Sequence, residues 1–198
     1  MSSAKAAVAI WCDVAPQARE EFDDWHAHEH MPERLSIPGF LRGSRWVSAD
    51  GGSYFMLYEA ADEATITSGP YLERLNEPSA WSRKMMPQHR NMVRSLCRVV
   101  AGEGAGLGGA MLTLRFPARP RFDIAGLGSR KGVVAARLLE NIARPDAPQT
   151  TEQKIRGGDA AADWILLVTG YDAAALAALG RDAPEGIGGL YALAQVLT

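Results

Sequence analysis

The 198-residue sequence predicts an α+β protein: two tandem ferredoxin-like (βαββαβ) units whose antiparallel sheets pack into one α/β barrel. Three observations carry this. Strand-like and helix-like runs follow one another in the order β-α-β-β-α-β over the first hundred residues. A glycine-rich stretch, residues 102–109, then interrupts the pattern. After it the same order restarts more faintly. The unit boundaries fall at 1–103 and 104–198.

In the first unit, residues 6–14 form an apolar run with β-branched residues, a strand. Pro16 suits the first turn of a helix. From Gln17 the chain is rich in Glu, Asp and Arg, with Phe22 and Trp25 at helical spacing, and the helix should run to about His30. Pro32 disfavours helical geometry at Met31 and should end or kink it there. Ile37-Pro38-Gly39 turns into a second strand, residues 40–49, and Asp50-Gly51-Gly52 makes a hairpin turn to a third, residues 53–60. Residues 65–86 are helical in part, broken at Gly69-Pro70 and Pro78, and residues 91–100 are a fourth strand.

The second unit reads as a diverged copy. Strands are expected at 110–116, 133–142, 163–171 and 190–197, with an alanine-rich helix at 172–179 capped by Asp172. Its first helix shrinks to a short piece near 122–127. Residues 144–158, polar and with two prolines, read as an exposed loop. The open faces of two four-stranded sheets would pack together with the helices outside. The chain is then a monomer with an internal pseudo-dimer, or a homodimer through exposed strand edges.

Composition excludes several classes. The chain is 47% hydrophobic and 22% charged, enough for a core. A net charge of −2 without a long basic run argues against a nucleic-acid partner. No apolar run reaches the roughly 20 residues that span a bilayer, and no signal-peptide pattern opens the chain, so no membrane partner is expected. Cys12 and Cys97 lack metal spacing and read as reduced core thiols of a cytoplasmic protein. Gly102-Glu103-Gly104-Ala105-Gly106 opens no helix with a matching acid and does not fit nucleotide binding.

Three of the four histidines lie within five residues, in Trp25-His26-Ala27-His28-Glu29-His30-Met31-Pro32-Glu33-Arg34. On a helix His26 and His30 share a face that Phe22 precedes, Trp25 and Glu29 form an adjacent face, and His28 points to solvent. Two imidazoles shielded by aromatic rings can transfer protons near neutrality. A neutral imidazole can take a proton from carbon beside a carbonyl while an arginine holds the enolate. Structural readings stand beside this: His30 as a cap of the helix C-terminus, His26 as a packed helix residue, Glu29 as a partner of Arg34. Residues 26–30 also match His-x-x-Glu-His, a zinc-peptidase arrangement, but no third ligand is in evidence and no metal is expected. Trp11, Trp46, Tyr54 and Tyr58 are strand aromatics that fit a pocket wall or a core, and His89 could reach the pocket mouth.

Phe22 and Trp25, Glu29-His30, Pro32-Glu33, Pro38-Gly39-Phe40 and Arg45-Trp46 together resemble the EthD-like proteins of the dimeric α/β-barrel superfamily. The motif covers about 25 residues of the first unit. The resemblance implies that Arg45, rather than Arg42 on the opposite strand face, points inward. His26 stands where members often carry tyrosine. The superfamily includes muconolactone-type isomerases, cofactor-free monooxygenases, polyketide cyclases and haem enzymes, so the fold alone narrows function little. The expectation is a cofactor-free enzyme acting on a small apolar cyclic substrate, aromatic, polyketide-like or lactone, as isomerase, lyase or monooxygenase. His30, His26 and Arg45 would be catalytic, with Trp11, Phe22, Trp25, Glu29, Trp46, Tyr54, Tyr58 and His89 around the substrate. The alternatives are a non-catalytic small-molecule-binding or stress-related protein, and a degenerate scaffold whose pocket is too small for a ligand.

Overall fold

A computed structural model describes residues 4–121, 124–143, 147–183 and 186–198. Eight antiparallel strands close into one barrel in the order β1-β3-β2-β8-β5-β7-β6-β4, with β4 returning to β1. The strands are β1 (Ala6–Val14), β2 (Phe40–Ser48), β3 (Ser53–Ala60), β4 (His89–Gly104), β5 (Ala110–Phe116), β6 (Val133–Asn141), β7 (Trp164–Gly170) and β8 (Ile187–Leu197). Strands one to four lie in the order β4-β1-β3-β2, and strands five to eight repeat it as β8-β5-β7-β6. The two halves join through hydrogen-bonded seams, β2 with β8 and β4 with β6. Closure gives every strand a neighbour on each side.

Strands β1, β3, β5 and β7 are buried on both faces, while β4 and β8 are partly exposed. One face fills the interior: Trp11, Trp46, Phe55, Leu57, Met111, Leu139 and Ile165 form a single cluster, joined by Cys97 of β4 and Leu193 of β8. The other face meets the helices. Val8, Cys12, Tyr54, Met56 and Tyr58 pack there against Phe22, Trp25 and Met31. A matching outer cluster in the second half sets Leu112, Leu138 and Val168 against Leu176. Cys12 and Cys97 therefore lie on opposite faces of the sheet, both buried and both free.

The helices over the first half begin with α1 (Arg19–Trp25), which passes without a break through a π-helical turn, His26–His30, into α2 (Met31–Leu35). Of the two outcomes expected at Met31, an end or a kink, the helix does not end: its regular winding is interrupted by the π turn just before Pro32. The Met31 N–H bonds back five residues to the His26 carbonyl, and this wider turn seats Pro32 in the first turn of α2, where its missing N–H costs nothing. Gly39 follows at φ +97°, and a Cβ there would collide with the Thr65 hydroxyl, so the Pro38-Gly39-Phe40 turn needs glycine for backbone reasons. Then come α3 (Glu63–Ile66), α4 (Gly69–Asn76) and α5 (Ala80–Met85), capped by Asp62, Ser68 and Ser79.

In the second half, residues 124–131 are turns, and the expected helix near 122–127 is absent from its described part, residues 122–123 lying outside the described residues. The excursion between β6 and β7 is an exposed loop only in part: residues 147–149 are exposed, and residues 144–146 lie outside the described residues. It carries α6 (Thr151–Arg156), opened by a Thr150–Gln153 capping box and closed by Gly157 in the left-handed region. Glu152 on this helix is buried. α7 (Ala173–Arg181) begins at its Asp172 cap, as expected. Strand β4 continues to Gly104, because Gly102, Glu103 and Gly104 pair with Arg137, Ala136 and Ala135. The glycine-rich stretch is thus in part a strand. No helix among the described residues is long and apolar enough to cross a membrane.

Candidate functional site

The helices of the first half and α6 enclose a cavity against the outer face of β1, β3 and β4. Its volume is about 30 Å³, room for about one water molecule. Trp25, His26, His30, Tyr58 and His89 line it together with Arg34, Tyr71, Arg94, Glu152 and Arg156, and methionines 56, 86 and 92 complete the apolar wall.

The π turn stacks His26 and His30 on one face, with ring centroids 5.7 Å apart. The His30 ring lies 4.4 Å from that of Trp25. His26 Nε2 and the Tyr58 hydroxyl are 2.9 Å apart in a hydrogen bond that either imidazole tautomer can make. His89 enters from the start of β4. Its Nδ1–H donates to the Met86 carbonyl at 2.9 Å, which leaves the lone pair on Nε2. The Phe22 ring backs the group, 5.7 Å from His26 and 5.4 Å from His89. His28 is exposed, with Nδ1 donating to the Asp24 carbonyl.

All three buried imidazoles are held neutral. Burial is the first cause in each case, and neighbouring cations add to it: Arg45 for His26, Arg34 for His30 and Arg156 for His89. For His89 the pKa falls to about 4. Tyr58 is pushed far up by its burial and stays protonated. Nδ1 of His26 and Nδ1 of His30 are buried without a hydrogen-bond partner. Such atoms are rare in folded proteins and collect where chemistry is done. A bulge between the Arg45–Gln195 and Trp46–Leu193 pairs turns Gln195 of β8 toward His26, and the Gln195 Oε1 atom is likewise unpartnered.

Opposite the histidines runs a buried ion network that joins the two halves. Arg34 donates through Nη2 to Glu152 and through Nη1 to Glu33 at 3.2 Å. Arg156 holds Asp159 through two bonds, of 3.1 and 2.8 Å, and reaches Glu152 only at 3.4 Å. Arg94 donates to the Tyr71 hydroxyl at 2.8 Å. Among the described residues Arg94 has no carboxylate within ion-pair distance, and no group of three His, Cys, Asp or Glu side chains could hold a metal ion.

The remaining sequence candidates lie elsewhere. Trp11 and Trp46 point into the barrel interior, where their indole N–H groups donate to Thr113 and Ser44. Glu29 does not meet Arg34. It accepts from the Trp25 indole at 3.2 Å and from Ser79, the cap of α5, so it props the tryptophan wall. Arg45 shares the helix-facing side of the sheet with His26 but is spent on Asp23, 3.0 Å from its carboxylate and 2.9 Å from its carbonyl. Tyr54 packs edge-on to Phe22 at 4.7 Å, behind the cavity. Arg34, Tyr71, Arg94, Glu152 and Arg156 were not foreseen as cavity residues. One signal for the last two was present: a Thr-x-x-Gln capping box opening a helix that carries Glu152 and Arg156 four apart.

No family model matches the chain, and no curated protein matches it in sequence. Solved structures do match over nearly the whole length. An anthrone oxidase-like protein superposes with a TM-score of 0.63 at 9% identity, covering 98% of this chain and 93% of the other. A candidate monooxygenase from Fusobacterium nucleatum subsp. nucleatum gives 0.56 at 10% identity, covering 100% and 94%. A candidate chlorite dismutase gives 0.56 at 10% identity, covering 98% and 96%. At such identities these likenesses show the fold alone, a ferredoxin-like α+β barrel.

Proposed function

We propose that the cavity is the active site of a cofactor-free enzyme that moves a proton on a small, largely apolar cyclic compound. One observation carries the reading: three neutral imidazoles and a protonated tyrosine converge on one enclosed cavity whose wall is part apolar and part charged. His30 Nδ1 is the candidate base, unpartnered and braced by Trp25. His26, tied to Tyr58 and with Gln195 beside it, relays the proton. An enolate formed beside them lies next to guanidinium groups. Arg34, Arg94 and Arg156 line the cavity, and in this reading they take the place expected of Arg45. Isomerisation, elimination and cofactor-free oxidation all begin with this step. The names of the anthrone oxidase-like protein and the candidate monooxygenase point in the same coarse direction.

Substrate must open the site, since small-molecule clefts run to about 300–1,000 Å³. Three methionines on the wall and the short α6 are the parts able to give way. Without such opening the cavity has no room for a haem macrocycle either. Its tightness is what the degenerate-scaffold reading expects, a pocket too small for a ligand; a non-catalytic small-molecule-binding or stress-related protein using the same cavity would need the same opening. The repeated strand order supports a tandem EthD-like chain with units 1–103 and 104–198, a monomer with an internal pseudo-dimer. The free, buried thiols suit a cytoplasmic protein.

The test is a screen of wild type and His30→Ala against cyclic ketones, phenols and lactones, with products and co-purified ligands read by mass spectrometry. Conversion by wild type and its loss in the variant support the enzyme. Tight binding without conversion supports the second reading. Equal turnover by both proteins refutes the assignment of His30.

A further inference from the structure

The pairing of charges around the cavity is uneven. Of the three guanidinium groups that line it, Arg34 and Arg156 hold the carboxylates Glu33, Glu152 and Asp159, and the half-exposed Arg74 also reaches Glu33. Arg94 has no carboxylate within ion-pair distance among the described residues. The guanidinium's only hydrogen bond among them goes to the Tyr71 hydroxyl, and it lies 5.8 Å from the centre of that ring. Arg156 is the next least committed, because its Nη1 reaches Glu152 only at 3.4 Å and Met86 sulfur at 3.9 Å. Both arginines line the cavity, and both come from segments held against one another: the Arg94 N–H bonds to the Ala160 carbonyl, and the Ala160 N–H to that of Met92. Ile10, Met56, Leu75 and Trp25 add apolar surface to the same lining. A guanidinium without a direct anionic partner beside apolar surface is a ready anchor for an anion carried on a ligand.

We propose that the cavity takes a ligand bearing one oxyanion on a planar ring, a carboxylate or an ionised phenol or enol, with Arg94 as the anchoring residue and Arg156 Nη1 as the second donor. This names the substrate class and rests on the reading of the cavity as a small-molecule site. Arg94 is a specificity residue, outside the proton transfer itself. The planar fork of arginine suits such an oxyanion better than a lysine would. The Tyr71 hydroxyl holds the guanidinium in place while leaving its other N–H groups to the ligand.

The experiment is calorimetric titration of the full chain with benzoate, 4-nitrophenolate and the uncharged isostere benzamide. Wild type, Arg94→Met, Arg94→Lys and Tyr71→Phe are compared, and folding is checked for each by its denaturation midpoint. The expected result is that wild type binds one or both anions at least about tenfold more tightly than benzamide, and that Arg94→Met loses that preference. Arg94→Lys should keep only part of it. Tyr71→Phe releases the guanidinium from its holding bond and should weaken the preference; should Arg94→Met fail to fold, Arg94→Lys, which keeps the charge and loses the fork, still tests the anchor. Whether benzoate or nitrophenolate is favoured separates carboxylate from phenolate ligands. Benzamide binding as tightly as the anions, an undiminished preference in Arg94→Met or in Arg94→Lys, or no anion binding into the millimolar range would each overturn the inference. A His30→Gln variant separates it from the catalytic reading: anion preference that survives alongside unchanged turnover removes the histidine mechanism and leaves the anion site standing.

Discussion

Arg34 on α2 and Glu152 on α6 stand 118 residues apart in the chain and form a buried ion pair, each side chain under 5% exposed. The pair ties the half that carries the histidines to the half that covers them. Glu152→Ala leaves Arg34 without its main partner and Arg156 without one of two. Removing one member of a buried pair costs about 3–5 kcal/mol. Chemical denaturation should show that loss, with Glu152→Gln intermediate. A change below about 1 kcal/mol would mean that α6 contributes no closure.

Tyr58 and His26 make the one side-chain hydrogen bond within the histidine group. Tyr58→Phe keeps the ring in the core and strands His26 Nε2. The expected cost is about 1–3 kcal/mol of stability. Turnover should fall more than substrate binding, because the tyrosine orients the relay. Kinetics that show a raised KM and an unchanged kcat would assign Tyr58 to binding instead.

Acid should weaken the fold between pH 6.5 and about 4. His89 binds a proton near pH 6.5 when unfolded, and only near pH 4 when folded. The unfolded chain thus takes up more protons in this window, so the stability from the neutral imidazole is complete above pH 6.5 and lost as pH falls through 4. For His89 alone the loss is on the order of 3 kcal/mol, and His26 and His30, shifted in the same direction, add to it. Denaturation midpoints measured across this range should slope downward toward acid, less steeply in His89→Gln. A flat profile would place the imidazoles in contact with water.

The Pro38-Gly39-Phe40 turn sits beside the histidine helix for backbone reasons. Gly39→Ala puts a side chain at φ +97° and against Thr65. The expected destabilisation is about 2 kcal/mol or more, read as a lowered denaturation midpoint, with no direct effect on the chemistry. A neutral result would show that the turn can rearrange.

The sequence made the first half readable because its punctuation is strong. Pro16, the Asp50-Gly51-Gly52 turn and the breaks at Gly69-Pro70 and Pro78 each mark an observed boundary or turn. Strand faces were harder. In β1 both faces are buried, so alternation could not tell that Trp11 looks into the barrel while Cys12 looks at the helices. The continuation of β4 through Gly102 and Gly104 depends on a partner strand some 30 residues away, which local propensity does not register. The cavity's arginines and Glu152 escaped notice because charge in a polar stretch reads as solvated surface. Only the fold shows that residues 150–159 turn inward.

The central claim is that the neutral histidines move a proton to and from carbon. The most direct test is deuterium exchange. Wild type and a His26→Gln/His30→Gln double variant would be incubated in D₂O with cyclic ketones and lactones, and label beside the carbonyl followed by mass spectrometry. The account predicts that wild type washes deuterium into at least one compound and that the double variant, though folded, falls to the uncatalysed rate. Exchange at the same rate in both proteins, or conversion of a compound by wild type with no exchange at carbon, would contradict it.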